Sequence, residues 1–291
     1  MSSKLVILGS SGGPTPKLQG HATSHALVMQ NDTNIVDCGS GVARQLIRAG
    51  IALSTLRRIF ITHHHIDHVA DFGLLVHQSW SQLKQPVELI GPPPLARMVE
   101  LYLELYSRDI ESRVADENRR HLREFIHVRE IMHPGDILRD ERLSVRCALV
   151  EHPPLDRVFA YRFDAPEGSV VFSADTVPTR SLIALAQGAD VLVHEALYLD
   201  NADRFLPADR AKTVLNRMLR AHTQPGDAGR IAREAGVRLL ILSPLGAFGE
   251  IDEARLKQRA AEHFGGEIRV GHDLLEVDLP LPPLKRRPAD S

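Results

Sequence analysis

One short segment constrains this chain more than any other: Thr62-His63-His64-His65-Ile66-Asp67-His68, set directly after the apolar run 58–61. Such a run reads as a buried strand, so the histidines stand where a strand opens into a loop, the usual place for a binding site in an α/β protein. In extended backbone His63 and His65, two positions apart, project their imidazoles to one side. Asp67 and His68 follow after the turn and can face a second point nearby. Imidazole combined with carboxylate suits zinc, iron or manganese rather than calcium or magnesium, and two histidines with a third ligand leave a coordination position open for water. An exposed histidine-rich tract is the competing reading; matched positions at the end of a strand argue against it. His64 and Ile66 fall between those positions and point away, which makes His64 a supporting residue.

Composition narrows the function classes. The 291 residues carry 15 histidines but only two cysteines, Cys38 and Cys147, so a disulfide framework is excluded. With 35 basic and 37 acidic residues the net charge is −2, and no global positive field exists to hold a polyanion. Nucleic acid is therefore an unfavoured partner. No apolar stretch approaches the roughly 20 residues of a membrane helix, and the N-terminal apolar run is too short for a signal sequence. The expectation is a cytoplasmic protein without membrane contact.

Apolar runs alternate with amphipathic stretches, the pattern of an α/β chain. Strands are predicted at 5–8, 26–29, 35–36, 59–62, 87–90, 144–149, 159–163, 170–173, 191–194, 239–242 and 268–270. Helices are predicted at 42–49, 74–82, 95–106, 181–187, 208–221, 227–235 and 253–263. The polar stretch 108–130 reads as a solvated helical insertion or a substrate-facing cap. No linker splits the chain, so residues 1–279 are expected to form a single domain, with 280–291 a frayed tail. The apolar stretch Leu101, Tyr102, Leu103, Leu105 and Tyr106 fits core packing, with a pocket wall or a homodimer contact as the alternative.

The pattern His-x-His-x-Asp-His after a strand resembles the signature of the metallo-β-lactamase-fold hydrolases. Other segments follow in that family's order: Asp37-Cys38-Gly39-Ser40-Gly41, Val150-Glu151-His152-Pro153-Pro154, Phe172-Ser173-Ala174-Asp175-Thr176, Val193-His194-Glu195-Ala196 and Ala221-His222-Thr223. Together they resemble the branch holding ribonuclease Z and its arylsulfatase-like relatives, over roughly residues 4–279. The resemblance implies a four-layer αββα sandwich with a helical insertion around 95–130. It also implies metal ligation by His63, His65, Asp67, His68, His152 and Asp175. The cofactor expected is zinc, one or two ions per chain, with manganese or iron as alternatives. His222 matches a non-ligand catalytic histidine of the family; a helix-terminal structural histidine is the other reading. His194 and Glu195 are expected to support the ligands by hydrogen bonds.

Two departures bear on function. Ribonuclease Z proteins that mature transfer RNA usually carry a long RNA-gripping arm between the positions of His152 and Asp175, and that interval here has no room for one. The family's last metal ligand, a histidine closing a late strand, is replaced by Pro244 in Leu242-Ser243-Pro244-Leu245. Proline offers no side-chain donor. Three readings follow for the second position: completion by water or a nearby residue such as His222, weak binding, or loss. A bound divalent ion lowers the pKa of water from about 15.7 to about 7 and so provides hydroxide at neutral pH. Asp67 or Asp175 is expected to orient the hydroxide through its non-ligating oxygen, and His222 to serve as the acid for the leaving group or the donor to the developing oxyanion. The chain is thus read as a metal-dependent hydrolase of a small ester-like or cyclic substrate: a sulfate ester, lactone, thioester, amide or phosphodiester. A transfer-RNA-processing phosphodiesterase and a mononuclear iron sulfur dioxygenase on the same fold are the alternatives.

Overall fold

The computed structural model describes residues 3–282 apart from positions 19, 201 and 207. Most of the expected tail, 283–291, lies outside the described residues. The first half of the chain runs β1 (Ser3–Gly9), β2 (Ser24–Met29), β3 (Asp32–Cys38), α1 (Val42–Arg48), β4 (Leu56–Phe60), α2 (Ile66–Val69), α3 (Phe72–Ser79), β5 (Val87–Gly91), α4 (Leu95–Leu105), α5 (Ser107–Glu117) and β6 (Ile126–Glu130). The second half runs β7 (Gly135–Arg139), β8 (Ser144–His152), β9 (Leu155–Ala165), β10 (Gly168–Phe172), α6 (Arg180–Ala186), β11 (Val191–Tyr198), α7 (Ala202–Phe205), α8 (Ala208–Leu219), α9 (Pro225–Ala235), β12 (Leu239–Ala247), α10 (Glu253–Ala261), β13 (Glu267–Val270) and β14 (Leu275–Leu279). They build two seven-stranded sheets, ordered β14-β1-β2-β3-β4-β5-β6 and β13-β12-β11-β10-β9-β8-β7.

Period-two alternation explains the layering. In β1, Leu5 and Ile7 enter the core between the sheets, whereas Val6 and Leu8 enter the core beneath the helices of the first half. Residues of β12 divide the same way: Leu239 and Ile241 face the other sheet, Leu240 and Leu242 the helices of the second half. Strands apolar on both faces need cover on both faces, and the αββα sandwich supplies it. Between the sheets Phe60 packs edge-on to Phe163 and Tyr161, with centroids 4.9 and 5.4 Å away. Beside this cluster the Tyr161 hydroxyl donates to the Ile61 carbonyl at 2.7 Å, and the Phe159 amide donates to Thr62 O at 3.1 Å. These contacts stitch the two sheets together directly beneath the histidine segment.

Three strands escaped the sequence reading. Residues 126–130, expected within a helical insertion, form the edge strand β6, paired in parallel with β5; α4, α5 and a short 3-10 helix at Leu122–Phe125 are helical there. Its inward Ile126 and Val128 alternate with His127 and Arg129, a signal hidden by the neighbouring charges. β7 and β14 are likewise short, with polar residues on their outward positions. In the apolar stretch, Leu103 is buried and Tyr102 packs on the first helical core, while Leu101, Leu105 and Tyr106 are exposed. No helix among the described residues is long and apolar enough to cross a membrane.

Two buried histidines away from the histidine segment give the fold an acid limit. Burial pushes His25 down to about 3 and His194 to about 4. Both stay neutral in the folded state while the unfolded chain takes up protons near pH 6.5. Their contribution is therefore intact above pH 6.5 and lost as pH falls towards 4 and then 3, at a cost on the order of 3–5 kcal/mol for each. Denaturant unfolding followed between pH 7 and 4 is expected to show this loss, and His25→Phe to show a smaller slope.

Candidate metal centre

The site forms where β3 and β4 of one sheet meet β8, β10 and β11 of the other. β4 stops at Phe60, and the Thr62 amide and hydroxyl donate to Asp37, at the end of β3, at 2.8 to 3.0 Å. Backbone stays extended through His65, then turns into the short helix α2, which swings Asp67 and His68 back towards the same point. His152 closes β8, Asp175 follows β10, and Ala174 before it sits at φ 60°, the left-handed region that favours the glycine of the resembled motif.

Donor atoms converge at two positions. At the first, His65 Nδ1 lies 3.1 Å from both His63 Nε2 and His152 Nε2. Each flanking ring is fixed from behind. His63 Nδ1–H donates to Thr62 Oγ1 at 2.9 Å, and His152 Nδ1–H donates to the Ala221 carbonyl at 2.7 Å. Those bonds set the tautomers that leave Nε2 lone pairs pointing inward. At the second position, His68 Nε2 lies 3.6 Å from Asp67 Oδ2 and 3.5 Å from Asp175 Oδ2, while His68 Nδ1 is held by Asp37 at 2.8 Å. Asp175 Oδ2 is also 4.0 Å from His152 Nε2, which places this carboxylate between the two positions.

The chemistry of these donors fits a divalent cation. Burial lowers the pKa of His63, His65 and His152, so their rings are neutral and crowd lone pairs together. Burial opposes charge on His68, yet Asp175 and Asp37 outweigh it and raise its pKa well above the usual histidine value. His68 Nε2 nonetheless finds no hydrogen-bond partner. Buried carboxylates facing an unpartnered ring nitrogen need a positive charge between them. His63, His65, His152 and Asp175 would hold a first ion, and Asp67, His68 and Asp175 a second.

The supporting residues divide. Glu195 accepts from His222 Nδ1–H at 3.1 Å through each carboxylate oxygen, and from the Thr176 amide at 2.7 Å. Burial raises the Glu195 carboxyl to about 7; burial opposes charge on His222, but Glu195 and Asp175 raise it to about 9. His194 does something else: its Nδ1 bonds the Glu195 carbonyl at 2.8 Å, and the structure shows no contact from it to the ligand set. The strand alternation that turns Glu195 towards the site turns His194 away. His64, as its spacing predicts, points elsewhere and bonds Pro92 O at 2.8 Å. His21 pairs with Asp273 at 2.6 Å, and His25 is buried between the sheets.

Asp37, Thr62 and Gly13 were missed as working residues. Asp37 and Thr62 form one brace behind His63 and His68, and the Gly13 amide donates to Asp67 Oδ2 at 2.8 Å. The signal available was a carboxylate directly after the apolar pair Ile35-Val36. Thr62→Val keeps the shape but strands the His63 Nδ1–H. It is expected to weaken metal retention about 10- to 100-fold, the usual effect of losing such a partner, measured by competition with a chelating dye.

Comparison with known proteins agrees with this geometry. The family described as anti-Pycsar protein Apyc1 matches residues 3–202. Ribonuclease Z of Mycobacterium sp. (strain KMS) is 32% identical over 278 residues, spanning 94% of this chain and 95% of that protein. Among solved structures, the metallo-β-lactamase-fold protein YhfI of Bacillus subtilis superposes with a TM-score of 0.71 at 22% identity, covering 95% of this chain and 99% of that one. The short form of human tRNase Z gives 0.71 at 19% identity, covering 96% and 100%. Fold and site thus define a metal-dependent hydrolase of the metallo-β-lactamase fold. Within that class, the chain belongs to the family of ribonuclease Z and the anti-Pycsar protein Apyc1.

Proposed function

We propose that the protein hydrolyses a phosphodiester bond in a small anionic substrate. One observation carries this reading: the donor cluster forms the floor of a cavity of about 620 Å³ whose only lysine and arginine, among the described lining residues, are Lys17 and Arg217. The remaining wall includes Phe205, Met218 and Phe248, apolar surface suited to one organic group of a small molecule. The relatives named ribonuclease Z support a phosphodiester over the sulfate ester, lactone, thioester and amide. A short hairpin, β9 and β10, fills most of the interval between His152 and Asp175 and leaves no arm to grip a large RNA.

Bound ions would supply hydroxide near neutral pH and charge stabilisation at the phosphoryl oxygens. This chain's own groups do the rest. Lys17 and Arg217 attract the anion. Asp67, anchored by the Gly13 amide, orients the attacking water through its other oxygen. His222, held by Glu195 through Nδ1, carries the proton at Nε2 for the leaving oxygen.

End-to-end likeness to ribonuclease Z favours a second reading, cleavage of transfer RNA precursors. One assay series separates the two: an aryl phosphodiester, an aryl sulfate, a lactone, a thioester and a precursor transfer RNA, each with added zinc and manganese. Hydrolysis of the small phosphodiester with the RNA left intact is expected; cleavage of the RNA alone overturns the small-substrate reading.

A further inference from the structure

The two positions differ in what they offer an ion. The first gathers three imidazoles and a shared carboxylate, with His63 and His152 locked in the ligating tautomer from behind. The second gathers one imidazole and two carboxylates, and Asp67 Oδ2 already accepts the Gly13 amide. Pro244 stands beside it in the pocket wall, a hydrocarbon ring on a tertiary amide nitrogen.

Three neighbouring groups that could replace a donor there each have partners of their own. Ser243 Oγ is turned into the sheet interface, 3.4 Å from His25 Nε2. The Leu245 carbonyl accepts from the Gly12 amide at 3.1 Å and from Lys17 Nζ at 3.3 Å. His222 gives Nδ1 to Glu195; that nitrogen also lies 3.8 Å from Asp175 Oδ2, but the ring groups with His152 and Asp175, on the side of the first position, its centroid 4.8 Å from that of His152. The second position is therefore short of one protein donor, open to the cavity, and richer in oxygen than nitrogen.

We infer that this chain carries an unequal centre: one zinc-type ion held tightly by His63, His65, His152 and Asp175, and one loosely held, exchangeable ion at Asp67, His68 and Asp175, where carboxylate donors suit a harder ion such as Mn²⁺. Imidazole-rich sites favour zinc and carboxylate-rich sites manganese. Losing a direct ligand weakens an ion at least as much as losing an outer partner, so the two affinities for one metal should differ by about 10- to 100-fold or more.

The test reads metal content rather than turnover. Full-length protein is loaded with zinc, desalted and analysed by plasma mass spectrometry, then titrated with Mn²⁺ while free Mn²⁺ is followed by electron paramagnetic resonance. One zinc is expected to survive desalting, with one weak manganese equivalent added afterwards. Asp67→Asn, which keeps an oxygen for the Gly13 amide, is expected to lose the manganese step and keep the zinc. Pro244→His is expected to retain two zinc ions. Retention of two zinc ions by the unaltered chain, absence of a manganese step, loss of the retained zinc in Asp67→Asn, or a folded Pro244→His that still keeps one would each overturn the inference. Should Pro244→His not fold, the unaltered chain and Asp67→Asn still decide it.

Discussion

His152→Ala removes both the retained metal and the hydrolytic activity. His152 Nε2 is one of three ring nitrogens drawn together at the first position, and its Nδ1–H is anchored on the Ala221 carbonyl, so the ring is held with its lone pair towards the ion. Without an ion the attacking water keeps a pKa near 15.7 instead of about 7, and the rate at neutral pH is expected to fall on the order of 10⁴-fold or more. Metal analysis after desalting and kcat/KM on the small phosphodiester should fall together. A variant that keeps its zinc and much of its rate would show that His63, His65 and Asp175 suffice.

His222→Ala is expected to separate chemistry from metal binding. With Nδ1 committed to Glu195, the ring can present a proton from Nε2. Loss of a positioned acid lowers kcat about 10²- to 10⁴-fold, while metal content stays unchanged because His63, His65 and His152 are untouched. The pH profile carries the sign. His222 is raised to about 9; as an acid it is active when protonated, so activity holds below that value and falls as pH rises through it. Glu195→Gln removes the carboxylate that raises it, and should move this alkaline limb to lower pH. If His222→Ala releases metal instead, the residue is a ligand and the acid must be sought elsewhere.

Much of the site could be read from order along the chain. Side chains two apart in extended backbone face one way, so His63 and His65 follow from local geometry, and the strand before them from its apolar run. The two-sided burial of β1 and β12 follows equally from unbroken apolar sequence. Edge strands were less legible: β6 shows its period-two pattern over only five residues with charged neighbours. His194 and Glu195 are adjacent and looked alike, but alternation within a strand sends only one of them to the site.

The sequence by itself determined the chemistry of the donors, the strand-to-loop setting of His63, His65, Asp67 and His68, and the lack of a donor at Pro244. Each is a matter of residue type and local spacing. Tertiary structure alone decided which donors meet: His65 and His152 are 87 residues apart, and His222 and Glu195 are 27 apart. It also decided that Asp37 and Thr62 brace both positions and that Ser243, the Leu245 carbonyl and His222, beside Pro244, have partners of their own. Those relations depend on the packing of one sheet against the other, and long-range packing leaves no period in the chain to read.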